Sequence, residues 1–339
     1  MKPGDYVKRE IRAKILEVLP DNKVWVEIDH SGVKYREVWD KSTEYSTVNK
    51  SGNGSHGLKR NKKDELDRFY TNPDVSKKLT EKVFEILDEK DYNIFLEPSA
   101  GSGSFLQWLP PEKRLGLDLA PASDEIIEQD FFKFKHKEGK KYLVIGNPPF
   151  GRACSLAYRF FNHAAEFADA IAFLIPRTFR RVSIQNKLNL NFHLIYDEQV
   201  PLKPCSFTPP MGAKCCFQIW VRKSEKRKKI VLPKKHVDWE FLPFGPNDAN
   251  NQPTPPDGAS FAMKAYGSNC GEIKVEGLEE LRPKSWHWIK CKNPKNLIDK
   301  FSKLDYNISK DSTRQDSLGR ADLVFLYNRE YRREESETE

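Results

Sequence analysis

Gly146-Asn147-Pro148-Pro149-Phe150-Gly151 directly follows the apolar run Tyr142 to Ile145, and its residue types suit one chemical task. An amine on a heteroaromatic ring is a poor nucleophile because its lone pair is delocalised. A site must therefore help the nitrogen become tetrahedral as it attacks an electrophilic carbon. The side-chain oxygen of Asn147 and the backbone carbonyl of Pro148 can both accept hydrogen bonds from such an amine, and the two prolines fix the backbone that aims them. Phe150 offers a face for stacking. No strong base is needed beforehand, because the nitrogen releases its proton once it is cationic. The bland alternative is a rigid turn that ends a strand.

A second signature, Glu97-Pro98-Ser99-Ala100-Gly101-Ser102-Gly103, follows the apolar run Asn93 to Leu96. Gly101 and Gly103 allow a tight turn and close backbone approach to a ligand. The missing third glycine argues against an ordinary dinucleotide or P-loop fingerprint. About twenty residues on, Asp118 ends the next apolar run, where a carboxylate can accept hydrogen bonds from ribose hydroxyls. Gln129-Asp130-Phe131 then offers an acceptor for an adenine amine and an aromatic ring to pack on it. The alternative for Asp130 is a turn or helix-cap aspartate.

The elements that must position these residues alternate along the chain. Val75, Leu79, Val83, Ile86 and Leu87 recur at helical spacing, predicting a helix from Asp74. Strands are expected at 93–96, 114–119, 142–145, 170–175, 192–196 and 216–221, with a helix after the glycine turn, another through Ala157 to Ala168 and another after Thr178. Strands separated by helices predict an open, mostly parallel sheet with ligands beyond the carboxyl ends of its strands. Before this core, residues 1–48 read as a small β-rich element with strands at Ala13 to Val18 and Lys23 to Ile28. Residues 49–66, rich in Gly, Ser, Asn and Lys at their start, read as a linker. The core spans 67–223, a separate domain with scattered aromatics spans 224–329, and 330–339 form a charged tail. Trp286 and Trp288 alternate along a possible strand and are expected in a core rather than on bases.

Lysine and arginine number 57 against 49 acidic residues, a net charge of +8, which biases the partner toward a polyanion. Eight of the fourteen residues from Arg222 to Lys235 are basic, among them Lys226, Arg227, Lys228 and Lys229. Arg177, Arg180 and Arg181 follow the run beside the catalytic one; both groups are candidate phosphate contacts, with a solvated face as the alternative. The six cysteines and seven histidines show no ligand spacing, so no metal and no disulfide framework is expected. No apolar run approaches the ~20 residues of a membrane span, and Met1 to Lys8 lacks a secretory signal. A soluble, intracellular protein is expected, cytoplasmic or, in a eukaryote, nuclear.

Over residues 69–223 the order of these motifs resembles the amino-methyltransferases, and among them the N6-adenine enzymes in which the cofactor motif precedes Asn-Pro-Pro-Phe and target recognition comes last. The resemblance implies an α/β fold with a Rossmann-like, mostly parallel methyltransferase core, a small N-terminal β-rich element and a C-terminal α+β recognition domain. It implies S-adenosylmethionine as cofactor, held by Thr71, Glu97, Ser99, Gly101, Gly103, Asp118, Asp130 and Phe131. Asn147, Pro148, Pro149 and Phe150 become the catalytic motif, with Phe207 as a second aromatic sandwiching an extruded base. Phe69-Tyr70-Thr71-Asn72-Pro73 departs from the usual Thr-Pro by the intervening Asn72. Nucleic acid is the implied partner, DNA favoured over RNA, and no partner subunit is indicated. The competing readings are an RNA adenine methyltransferase, a protein glutamine methyltransferase and a non-catalytic nucleic-acid-binding homologue.

Overall fold

A computed structural model describes residues 69–331 in full and, before them, the backbone of five strands. The chain divides into two compact units, residues 1–66 and 67–339. The expected linker and the tail beyond Tyr331 lie outside the described residues. In the first unit β1 (Tyr6–Lys8), β2 (Arg12–Val18), β3 (Lys23–His30), β4 (Val33–Asp40) and β5 (Ser46–Val48) form an antiparallel sheet in the order β4-β3-β2-β1-β5. It is a meander whose last strand returns to the first.

The second unit opens with β6 (Tyr70–Thr71) and α1 (Pro73–Ile86). A seven-stranded sheet follows: β7 (Ile94–Glu97), β8 (Arg114–Asp118), β9 (Ile126–Glu128), β10 (Tyr142–Gly146), then α2 (Ser155–Phe167) and β11 (Ala170–Pro176). After the one-turn α3 (Val182–Gln185) come β12 (Phe192–Gln199), the two-residue β13 (Phe207–Thr208) and β14 (Cys215–Arg222). The order is β12-β14-β11-β10-β7-β8-β9, and only β14 runs against the rest. β7 therefore has its chain successor β8 on one side and β10 on the other, a topological switch point.

Every residue of β10 and β11 is buried, the mark of central strands covered on both faces. Period two divides them: Tyr142, Val144, Ile171, Phe173 and Ile175 join the core with α2, while Leu143, Ile145, Ala170, Ala172 and Leu174 join the core with Leu79 and Val83 of α1. The helix expected after the glycine turn is a single 3-10 turn, Leu106–Trp108, because Pro110 and Pro111 stop it. The helix expected after Thr178 likewise reduces to the 3-10 turn Arg177–Arg180 and α3. β9 escaped the sequence reading because only Ile126 of its three residues is buried.

The rest of this unit holds β15 (Trp239–Phe241), β16 (Phe261–Lys264), β17 (Ile273–Lys274) and β18 (Trp286–Cys291), antiparallel in the order β15-β18-β16-β17. The helices α4 (Pro294–Ser302) and α5 (Arg320–Tyr331) pack with it through Trp239, Phe261, Phe301 and Tyr327. Trp286 and Trp288 are buried in a second, smaller cluster, which makes them core residues.

Candidate active site

The glycine turn, Asp118 and the loop after β10 meet at the switch point. The turn after β7 places Gly101 and Gly103 at φ +56° and +81°, left-handed backbone that glycine adopts without penalty. Asp118, at the end of β8, accepts from the Gly101 N–H at 2.8 Å and the Ala120 N–H at 2.9 Å. Its carboxylate holds the turn against β8 and keeps further lone pairs for a ligand. The Ser99 hydroxyl donates to the Asn147 backbone carbonyl at 3.1 Å, joining the glycine turn to the loop after β10.

Asn147 is the pivot of that loop. Its Nδ2 donates to the Phe69 carbonyl at 2.9 Å, which fixes which way the amide points. Neither its Oδ1 nor the Pro148 carbonyl accepts a hydrogen bond from any described residue. Phe150 is half-buried, and its carbonyl accepts from Leu156 and Ala157 at 3.2 and 3.3 Å, capping α2. Beyond it Gly151 stands at φ +67°, where a β-carbon would come within 2.8 Å of Leu156.

No family model and no curated protein matches the chain. Among solved structures it is similar to a candidate class I S-adenosylmethionine-dependent methyltransferase from Listeria monocytogenes, at 14% identity and a TM-score of 0.37 over 48% of this chain and 64% of that one. The similarity spans less than two thirds of that protein's length. It is also similar to a candidate methyltransferase from Escherichia coli, at 16% identity and a TM-score of 0.30 over 44% of this chain and 86% of that one.

A strap of chain crosses the site. β6 pairs with β13, Thr71 opposite Phe207, and Asn72 ties the same two segments through the Cys205 carbonyl at 2.8 Å and the Thr208 hydroxyl at 2.6 Å. The ring of Tyr70 lies on Gly101, where a β-carbon would sit 2.6 Å from its Cε1. Thr71 is buried and its Oγ1 has no hydrogen-bond partner among the described residues. The role of Tyr70 and of the Phe69 carbonyl was not legible in the sequence, since one acts through packing and the other through the backbone.

Several expected site residues stand elsewhere or do another job. Glu97 is 1% exposed and accepts from the Phe105 and Leu106 N–H groups at 3.3 and 2.7 Å. It shapes the turn from below, and burial pushes its carboxyl up to about 8 against the pull of those two hydrogen bonds. Asp130 caps the 3-10 turn Phe131–Lys133 through the Phe132 N–H at 3.0 Å, the alternative role foreseen for it. Phe131 is 2% exposed, packed against Phe160 and the His163 ring, so its ring belongs to the core. Phe207, 3% exposed, is a core residue with no face left for a base.

The expected phosphate contacts divide in the same way. Arg180 forms a bidentate pair with Asp197 and also meets Asp311 at 3.4 Å, Arg177 meets Asp311 at 3.5 Å, and Arg181 meets Asp322 at 2.8 Å. All three are held in ion pairs within the fold, and the buried Nε of Arg177 has no hydrogen-bond partner among the described residues. Arg227 donates to the Phe192 and Gln185 carbonyls and lies over Trp220, pinning the chain after β14. Lys226, Lys228 and Lys229 are exposed.

Proposed function

We propose that this chain transfers a methyl group from S-adenosylmethionine to the N6 amine of adenine in nucleic acid, with DNA the favoured polymer. The observation that carries this reading is the meeting, at one switch point, of a glycine turn closed by Asp118 with unengaged acceptors on Asn147 and Pro148. The residues fit the cofactor. Asp118 has lone pairs left for a ribose diol, and the orphaned Thr71 hydroxyl lies on the strap that packs Tyr70 against Gly101. When bound, S-adenosylmethionine supplies an electrophilic methyl group on a sulfonium centre.

The chain's own residues then do the rest. Asn147 Oδ1 and the Pro148 carbonyl accept the two protons of the amine and draw it toward tetrahedral geometry, turning its lone pair out of conjugation. The Asn147–Phe69 hydrogen bond holds the amide in the orientation that presents oxygen rather than nitrogen. This preorganisation is what lets a dipole act on a developing positive charge without rearranging first. Phe150 offers its ring to the base, and a duplex substrate must extrude that base at a cost of a few kcal/mol. The proton leaves after the carbon–nitrogen bond has formed, so no basic side chain is required in the loop.

Incubating the protein with radiolabelled S-adenosylmethionine and duplex DNA, single-stranded DNA, RNA or a protein extract tests the reading. Label recovered as N6-methyladenine supports it and names the polymer; label found only in protein overturns it.

A further inference from the structure

The segment Ser309 to Leu318, between α4 and α5, reaches the catalytic loop. The Lys214 N–H donates to the Thr313 carbonyl at 2.7 Å, the Thr178 and Thr313 hydroxyls lie 3.0 Å apart, and the Cys154 thiol lies 3.8 Å from the Thr313 hydroxyl. At that contact the loop is strained: Ala153 and Cys154 stand at φ 51° and 61°, left-handed conformations costing about 1–3 kcal/mol each for residues with a β-carbon. Two in succession persist only where the surroundings dictate them. Thr313 and the Phe150 carbonyl cap are those surroundings.

The seam is otherwise electrically balanced. Arg177, Arg180, Arg181 and Lys214 face Asp197, Asp311, Asp322 and Asp316, each in an ion pair. Two cations stand outside this balance, one on each side of the contact. Arg152 lies two residues before Cys154 and Arg314 one residue after Thr313; both are exposed, and neither side chain has a hydrogen bond or ion pair among the described residues. A guanidinium left unpaired beside a strained loop matches the planar, bidentate acceptor that a phosphodiester presents.

We propose that Arg152 and Arg314 form a two-sided phosphate clamp for the nucleic-acid strand that carries the acceptor base, placing that strand across Phe150. The inference rests on the reading of the substrate as nucleic acid. The Ser309 to Leu318 segment thereby serves as a wall of the active site, and its position couples recognition by the C-terminal sheet region to the loop that presents Asn147.

The test measures binding of fluorescent DNA and RNA oligonucleotides of the same adenine-containing sequence to the full chain, by anisotropy, across a range of salt concentrations. Wild type should bind with an affinity that falls steeply as salt rises. Arg152→Ala with Arg314→Ala should weaken binding roughly tenfold or more at low salt and lower the log–log salt slope by about 1.4 to 1.8, since each lost phosphate contact removes about 0.7 to 0.9. Lysine at both positions should restore most of the slope, and unchanged melting temperatures show that the variants fold. Which oligonucleotide responds distinguishes DNA from RNA. An unchanged slope in the double variant, or no binding of either oligonucleotide by wild type, overturns the clamp. Failure of the proposed reaction looks different: no label enters adenine while the salt-dependent loss of binding persists.

Discussion

Two clusters of polar residues follow neighbouring strands of one sheet, and they have opposite fates. After β10 and at the end of β8, Asn147 and Asp118 are oriented by backbone groups: Asn147 donates to a carbonyl, and Asp118 accepts from two N–H groups. Backbone partners set the direction of these side chains while leaving acceptors over. After β11, Arg177, Arg180 and Arg181 meet side chains of opposite charge, two of them more than a hundred residues further along the chain. Those contacts commit each guanidinium to an ion pair within the fold. A polar residue positioned by backbone stays available for chemistry, whereas one met by a complementary side chain becomes part of the scaffold.

The comparison can be broken at several points. Arg181→Ala should have the largest effect, about 3–5 kcal/mol of stability, because it leaves Asp322 unpaired where both side chains are little exposed. A thermal or denaturant melt reads this directly, and a variant as stable as wild type that binds nucleic acid poorly would restore the arginine to a phosphate-binding role. Asn147→Ala should lower kcat about 10²–10³-fold, as loss of one preorganised dipole does, while cofactor affinity by calorimetry stays near wild type. Full turnover in that variant would remove the acceptor mechanism. Phe207→Leu should cost about 1–3 kcal/mol of stability with the KM for nucleic acid unchanged, since its ring lies in the core; a selective rise in KM would return it to the base-binding site.

The smallest effect on turnover is expected at Glu97. Its folded-state pKa of about 8 lies above the free value of 4.5, so the unfolded chain gives up this proton at lower pH than the native one. The stability that the neutral carboxyl contributes is full below about 4.5 and is lost as pH rises toward 8. Glu97→Gln should flatten that part of the stability–pH curve with little change in activity near neutrality. A slope that survives the substitution would assign it to another group.

The sequence was most legible where one local pattern dictated the outcome. The unbroken apolar runs at Tyr142 and Ala170 read as strands, and the glycines at 101 and 103 as a tight turn, and both are found. β9 was too short to show a period, and a proline pair ended the helix expected before β8 after a single turn. At the site, the residues that were identified carry their chemistry in their own side chains, as Asn147 and Asp118 do. Phe131 and Phe207 looked like ligand-facing aromatics because aromatic identity is the same in a core and in a cleft; only burial separates the two. The partners of Arg177 to Arg181 are invisible locally, since Asp197, Asp311 and Asp322 are brought to them only by the fold.

The strap before α1 touches both halves of the site. Tyr70 rests on Gly101, and one residue earlier the Phe69 carbonyl holds the amide of Asn147. A ligand that shifts the tyrosine as it settles on the glycine turn must therefore also alter how firmly the asparagine is held. By thermodynamic reciprocity, a base engaging Asn147 changes affinity at the glycine turn by the same factor. Order of addition then ceases to be a matter of convenience: the two binding steps form a cycle with a single heterotropic energy, and the three residues from Phe69 to Thr71 are where it would be measured.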